Sequence, residues 1–471
     1  MQPVKKQVKM REQPPEERIR NWGEVPLGYS LEEAVLESER CIQCRNKPCV
    51  NGCPVLIEIP DFIKALKEKD VRKAINIIHE SNALPAITGR VCPQEEQCQC
   101  VCTAGKMGDP VSIGGLERFA ADWDLLNRKN NSSKAFKKVS ISKKTEKVAV
   151  IGSGPAGLSC AADLARMGYQ VTVFEGYHKP GGVLVYGIPE FRLPKSIVKS
   201  EIDLLYDIGV NFITNVLIGR ALTINDIFKN GYSAIFIGTG AGLPNFMNIP
   251  GENFNGIYSA NEFLTRVNLM KAYLSGEYDT PVRHGRNVAV IGGGNVAIDA
   301  ARTAKRLDAE NVYIVYRRTE KEMPARIEET RHAHEEGVEF ITLASPVLYE
   351  GDESGFVKKM VCQKMKLGEP DQSGRRRPIP KDGALFSMEV DEVIVAIGSS
   401  PNPIIPRTTK NLNLKKNGDI IIDDKYRTSI KGVFAGGDIV TGSATVVTAM
   451  GAGRMAAKSI HEYINNGNED S

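Results

Sequence analysis

Two segments, VAVIGSGPAGLSCAADLARMGYQVTVFEG and NVAVIGGGNVAIDAARTAKRLDAENVYIVYRR, each run from a short β-branched stretch through a glycine turn into a helix-forming stretch and back into a β-branched one. Such βαβ units join parallel strands by right-handed crossovers, so each one starts a parallel sheet with helices on its faces. Two units of one design, about 140 residues apart, therefore predict an α/β chain with two Rossmann-like dinucleotide-binding domains. Two further apolar runs, AIFIGTGA at 234–241 and EVIVAIGSSPN at 392–402, end in glycine turns and bracket the second unit. The expected order is a first domain over 141–280, a second over 281–399 inserted into it, and the rest of the first over 400–471.

The glycines of the first turn have separate duties. In Gly152-Ser153-Gly154-Pro155-Ala156-Gly157, Gly152 makes the tight turn, Gly154 lets the backbone approach a pyrophosphate and Gly157 allows close helix packing, while the helix start supplies N–H groups and positive dipole. Glu175 follows Gly152 by twenty-three residues, at the end of the next strand. A carboxylate there accepts both ribose hydroxyls and repels a 2′-phosphate, which suits FAD. Gly436-Gly437-Asp438, after the run KGVFA, fits a second hold on the flavin, with Asp438 placed for ribityl hydroxyls or phosphate.

The second turn, Gly292-Gly293-Gly294-Asn295-Val296-Ala297, is the variant with alanine at the third packing position. Its second strand ends in Arg317 and Arg318 rather than in an acid. Paired guanidiniums there suit a 2′-phosphate and so NADP(H) over NAD(H). The plain alternative is a solvated basic pair at a strand end.

Eight of the ten cysteines, Cys41, Cys44, Cys49, Cys53, Cys92, Cys98, Cys100 and Cys102, crowd into about sixty residues of a helical N-terminal region expected to span 1–140. In a reducing cytosol such crowding reads as metal binding. Cys41-x2-Cys44-x4-Cys49-x3-Cys53-Pro54 is close to the bacterial ferredoxin run, whose fourth cysteine ligates the other cluster of a pair. Cys92-x5-Cys98-x3-Cys102 supplies a second run, so two 4Fe-4S clusters are expected. Structural zinc is the competing reading. Cys100 is a spare thiol on this pattern, and Cys160 and Cys362 read as small core residues.

Charge and hydropathy narrow the partners. Sixty-one basic against fifty-seven acidic side chains leave +4, which argues for neither nucleic acid nor an anionic membrane. No stretch approaches about 18 uninterrupted apolar residues, and the charged N-terminus lacks a secretory apolar region, so a soluble cytoplasmic chain is expected.

The segments CIQCRNKPCVNGCP, NALPAITGRVCPQEEQC, GGVLVYGIPEFRLP, VYRRTEKEMPA and VFAGGDIVTGSATVVTAMGAGR, with the two glycine turns, resemble the glutamate synthase small-subunit family. Within it, the likeness is greatest to the large (beta) subunit of NADH-dependent reduced ferredoxin:NADP+ oxidoreductase. This resemblance implies one cluster on Cys41, Cys44, Cys49 and Cys102, and another on Cys53, Cys92, Cys98 and an eighth ligand. Where the similar dihydropyrimidine dehydrogenase uses a glutamine, this sequence has Glu117, with Cys100 as the rival. It also implies FAD contacts at Gly182, Leu184, Ile188, Thr445 and Val446.

The function so implied is electron transfer between NADP(H) and ferredoxin through FAD and two clusters. The FAD would bifurcate electrons in a heterodimer with a smaller NAD(H)- and flavin-binding subunit. The alternative partner is a glutamate synthase large subunit. Hydride passes directly to FAD, so no catalytic side chain is expected. A thioredoxin reductase would need C-x-x-C in the second nucleotide domain, where Cys362 stands alone. A cluster-carrying scaffold with vestigial nucleotide sites sits poorly with intact glycine turns.

Overall fold

The computed structural model describes residues 5–130, 143–274, 276–371 and 374–466; the boundary expected at 140 lies outside them. Two five-stranded sheets, each parallel throughout, organise the chain after residue 143. In the first, the strands Val433–Ala435, Tyr232–Ile237, Lys147–Ile151, Gln170–Phe174 and Asn211–Ile213 lie side by side in that order. In the second the order is Ile257–Ser259, Glu392–Val395, Asn287–Ile291, Asn311–Tyr316 and Glu339–Thr342.

The strand Ile257–Ser259 thus belongs to the second sheet although it precedes residue 281. It is three residues long and only partly apolar, and pairing with Val393–Val395, more than a hundred residues on, is what places it. The two crossings between the sheets also pair, Leu243–Pro244 running antiparallel to Ser399–Ser400. A three-stranded antiparallel sheet, Ala344–Gly351, Val357–Pro370 and Arg376–Glu389, interrupts the second domain. Its strands follow no βα alternation, so the parallel-sheet pattern does not announce them.

The N-terminal region is helical. Leu31–Ser38 starts on a capping box between Ser30 and Glu33, and Val71–Ser81 starts on Asp70, whose carboxylate accepts the Lys73 N–H. Ile59–Lys67, Val71–Ser81, Pro85–Val91 and Ile113–Asn130 turn apolar faces to one core. That core runs without a break from Tyr29, through Cys53, Cys92 and Cys98, to the helix Pro155–Arg166 and to Ile460. The long C-terminal helix Val446–Asn465 lies so close on Pro155–Arg166 that a β-carbon on Gly453 would stand 2.1 Å from the Ala156 carbonyl oxygen.

Buried charge ties the three parts together. Glu336 accepts from Arg18 at 2.8 Å, from Arg302 at 2.7 Å and from Arg306 at 2.8 Å. Glu329 takes Arg302 and, at 3.2 Å, Arg192, which also grips Asp299 through both carboxylate oxygens. Burial pushes the Glu329 carboxyl up, but Arg192 and Arg302 hold it down at about 2. The Arg306 guanidinium lies 3.8 Å from the centre of the Phe191 ring. Removing one partner of a buried ion pair strands the other charges, at a cost of about 3–5 kcal/mol. A Glu336→Gln variant is therefore expected to lose stability on that scale, read as a lower denaturation midpoint, whereas Glu353→Gln on the exposed surface leaves it unchanged.

Candidate functional site

The structure sorts the N-terminal donors into two groups of four. Cys41, after the helix Leu31–Ser38, Cys44, Cys49 in the turn Pro48–Asn51, and Cys102 line one apolar-walled cavity with Ile59 and Ile63. Burial pushes the Cys49 thiol up to about 12, and Cys41, Cys102 and Cys44 act on it in the same sense. The second group is Cys53, Cys92 at the end of Pro85–Val91, Cys98, and Glu117 in the first turns of Ile113–Asn130. Burial raises both the Cys92 and the Cys98 thiols, and Glu117 and Cys53 add to it. Four thiols around one cavity, and a second set of three thiols and a carboxyl within electrostatic reach of one another, are compatible with two clusters.

Glu117 is buried, and burial pushes its carboxyl up to about 7. One of its oxygens accepts from Thr88 Oγ1 at 2.5 Å and Asn82 Nδ2 at 2.8 Å. Cys100 is exposed and lines an outer pocket with Cys102. Cys160 and Cys362 are both buried. Sequence reasoning missed Asn82 and Thr88, although both lie within NALPAITGRVCP. It also missed Glu201, on the helix Lys195–Asp207, which accepts the Ala86 N–H at 3.0 Å and so caps the helix that ends in Cys92.

The second group lies against the first nucleotide domain. A β-carbon on Gly451 would stand 2.6 Å from the Pro54 carbonyl oxygen, and Gln97 Nε2 donates to Thr445 Oγ1 at 3.5 Å. In that domain Gly152 has φ +95°, and a β-carbon on Gly157 would stand 1.9 Å from the Gly152 carbonyl oxygen, so turn and helix close tightly. Gly154, by contrast, faces open space at the start of the helix Pro155–Arg166.

Gly182 lies over Gly154, and Leu184 and Ile188 are buried behind it. Glu175 accepts the Ser153 N–H at 2.9 Å and the Ser153 hydroxyl through one oxygen, and the Tyr177 N–H at 2.9 Å through the other. Burial pushes the Asp438 carboxyl, beside Gly437, up to about 6, and its Oδ1 is buried without a hydrogen-bond partner. Thr445 caps the helix that begins at Val446. An open helix start and an orphaned buried acceptor across the same crease suit a dinucleotide with a polyol arm.

The second crease repeats the design. Gly292 would meet the Ala396 carbonyl and Gly293 the Tyr316 ring, while Gly294 opens to space where Asn295 begins the helix Asn295–Arg306. Val296 is exposed, and the Asn295 side chain accepts the Arg326 N–H at 3.0 Å. The arginine pair divides. Arg317 is exposed and makes no hydrogen bond or ion pair among the described residues. Arg318 is buried, donating to Asp371 at 2.7 Å and to the Arg376 carbonyl at 2.7 Å. The two guanidiniums expected on one phosphate are thus unequally placed, the antiparallel sheet engaging Nε and Nη2 of Arg318.

Two nucleotide creases beside a cysteine-rich helical region define a pyridine-nucleotide oxidoreductase of iron-sulfur type. Comparison with known proteins agrees. The family described as Pyridine nucleotide-disulphide oxidoreductase matches residues 146–453, and Dihydroprymidine dehydrogenase domain II, 4Fe-4S cluster, matches residues 18–129. The small chain of NADPH glutamate synthase from Escherichia coli is 34% identical over 93% of this chain and 92% of its own length. The beta subunit of NADPH-Fe(3+) oxidoreductase from Geobacter sulfurreducens is 35% identical over 91% of this chain and 65% of its own. FprA from Mycobacterium tuberculosis, solved with NADPH, shares the fold at TM-score 0.58 and 21% identity, over 69% of this chain and 86% of its own.

The chain belongs to the pyridine nucleotide-disulphide oxidoreductase family, in the branch that holds the glutamate synthase small chains. It is an NADP-dependent iron-sulfur flavoprotein oxidoreductase with FAD, NADP(H) and 4Fe-4S clusters as cofactors. No helix among the described residues is long and apolar enough to cross a membrane. The placement of Glu117 predicts that Glu117→Ala loses about half of the bound iron while Cys100→Ser keeps all of it, measured by iron and sulfide assay of anaerobically purified protein.

Proposed function

We propose that this chain passes electrons from NADPH to a one-electron acceptor protein, by way of FAD and then two 4Fe-4S clusters. The supporting observation is the order of the sites. The second donor group packs on the first nucleotide domain at Pro54–Gly451 and Gln97–Thr445, while the first group, with Cys41, Cys44 and Cys102 only partly buried, reaches the surface. The first crease would hold FAD, which would supply hydride acceptance from a nicotinamide and release of electrons one at a time.

The chain's own residues bind and align. The turn at Gly152–Gly157 and the helix it opens receive one pyrophosphate, and Glu175 faces the ribose. Leu184 and Ile188 would keep water from a flavin held there, and Asp438, Thr445 and Val446 would complete its hold. The turn at Gly292–Val296 receives the second pyrophosphate, and Arg317 is the free guanidinium for the 2′-phosphate. Cys41, Cys44, Cys49 and Cys102 hold one cluster, and Cys53, Cys92, Cys98 and Glu117 the other. Glu117 is a harder donor than a thiolate and would give the cluster it helps hold a distinct potential.

The acceptor in this reading is ferredoxin, and a smaller NAD(H)- and flavin-binding subunit takes the other electron of a bifurcating FAD, in the cytoplasm. The motifs NALPAITGRVCPQEEQC and GGLERFAAD favour that assignment. A second reading, the small subunit of an NADPH glutamate synthase, is favoured by the near-complete coverage of the E. coli small chain. Purification of the native complex separates them: activity that needs glutamine and 2-oxoglutarate, with none toward ferredoxin, would sink the first. Arg317→Ala is expected to weaken NADPH binding by about tenfold or more, the loss of a charge-assisted pair, and NADH hardly at all. Equal losses for both nucleotides in a titration of flavin reduction would contradict the role given to Arg317.

A further inference from the structure

Arg326 connects two sites that the proposed function treats separately. Its backbone N–H donates to the side-chain oxygen of Asn295, the first residue of the helix in the second glycine turn. Its guanidinium leaves the nucleotide domain and enters the N-terminal region. There Nη1 donates to the Arg90 carbonyl at 3.2 Å, Nη2 to Gln94 Oε1 at 3.3 Å, and Nε to Glu95 Oε1 at 3.3 Å. These three partners flank Cys92 on both sides. Glu328, two residues on, takes Nη2 at 3.0 Å. The side chain is 7% exposed, so little water intervenes between its positive charge and the loop that carries Cys92.

A buried arginine with five donors can hold a loop rigidly and at the same time impose a charge on it. We propose that Arg326 is the positioning residue that couples occupancy of the NADP(H) crease to the redox potential of the cluster held by Cys53, Cys92, Cys98 and Glu117. This rests on the function proposed above. The guanidinium favours the reduced, more negative cluster, because charge of opposite sign in a low-dielectric interior is weakly screened. A pyrophosphate arriving at the helix start pulls on Asn295, and through the Arg326 backbone that displacement reaches the loop that carries Cys92. The nucleotide domain would thereby set how readily this cluster takes an electron while nucleotide is bound.

The test is a potentiometric titration of the holoprotein, with this cluster followed by electron paramagnetic resonance. It is run with and without 2′-phospho-ADP-ribose, which carries the pyrophosphate and no nicotinamide. In the unaltered protein the probe is expected to shift the midpoint. In Arg326→Gln the midpoint falls, the ratio of reduced to oxidised cluster at a fixed potential dropping about tenfold, or ~59 mV for one electron, and the shift with probe disappears. Arg326→Lys keeps the charge without the fork, so its midpoint stays near that of the unaltered protein while the response to probe is lost.

The proposal is overturned if the unaltered protein titrates identically with and without probe. It is equally overturned if Arg326→Gln, with its iron intact, behaves as the unaltered protein does. If Arg326→Gln sheds iron, Arg326→Lys and the unaltered protein decide. Failure of the underlying function shows elsewhere, as an unaltered protein that lacks two clusters of iron or whose flavin NADPH does not bleach.

Discussion

Buried arginine–carboxylate pairing at the junction of the three parts is what the arrangement of the molecule depends on. Arg18 comes from the N-terminal region, Arg192 from the first nucleotide domain, and Asp299, Arg302, Arg306, Glu329 and Glu336 from the second. Each charge has left water, and each is offset by at least one partner at hydrogen-bond distance. Such a network contributes little net stability over apolar packing, but it is intolerant of misalignment, because any displacement leaves a charge unpaired. It therefore specifies one placement of the second sheet against the first. The helix Asn295–Arg306 carries three of these residues and also begins at the second glycine turn, so the network that locks the domains also orients the nucleotide crease.

The cluster region and the first nucleotide domain are joined by a different interaction. There the contact is a single apolar core that runs from the N-terminal helices through the cysteines into Pro155–Arg166 and Val446–Asn465. Glycines at 451 and 453 remove side chains where the C-terminal helix meets Pro54 and Ala156. Close packing of this kind excludes water and fixes separations, which are the two requirements for moving electrons between centres that do not touch. Glu201 and Arg326 add one hydrogen-bonding hold each on the segment Pro85–Glu95, from opposite nucleotide domains. The segment that ends in Cys92 is thus fastened by both.

Local chemistry was legible wherever it depends on short spacing. The glycine turns, the acid at 175, the two cysteine runs and the α/β class with an inserted domain all follow from neighbours in sequence, since a βαβ unit or a C-x2-C run closes on itself. Much less of the long-range assembly could be read. Arg317 and Arg318 are adjacent and chemically alike, yet one is exposed and the other is held by Asp371 and the Arg376 carbonyl. That division was invisible because the antiparallel sheet that causes it has no βα signature.

The sequence by itself determined which folding units form and which donors they carry, because hydrophobic period, glycine turns and cysteine spacing act over a few residues. Only the tertiary structure decided which donors meet and which charges stay free. It buried Glu117 within electrostatic reach of Cys53, Cys92 and Cys98 and left Cys100 at the surface; it gave Ile257–Ser259 to the second sheet; and it carried Arg326 across a domain boundary to the Cys92 loop. The physical reason is the same in each case. These contacts join residues tens to hundreds of positions apart, and their energies exist only once separate units have packed and expelled the water between them.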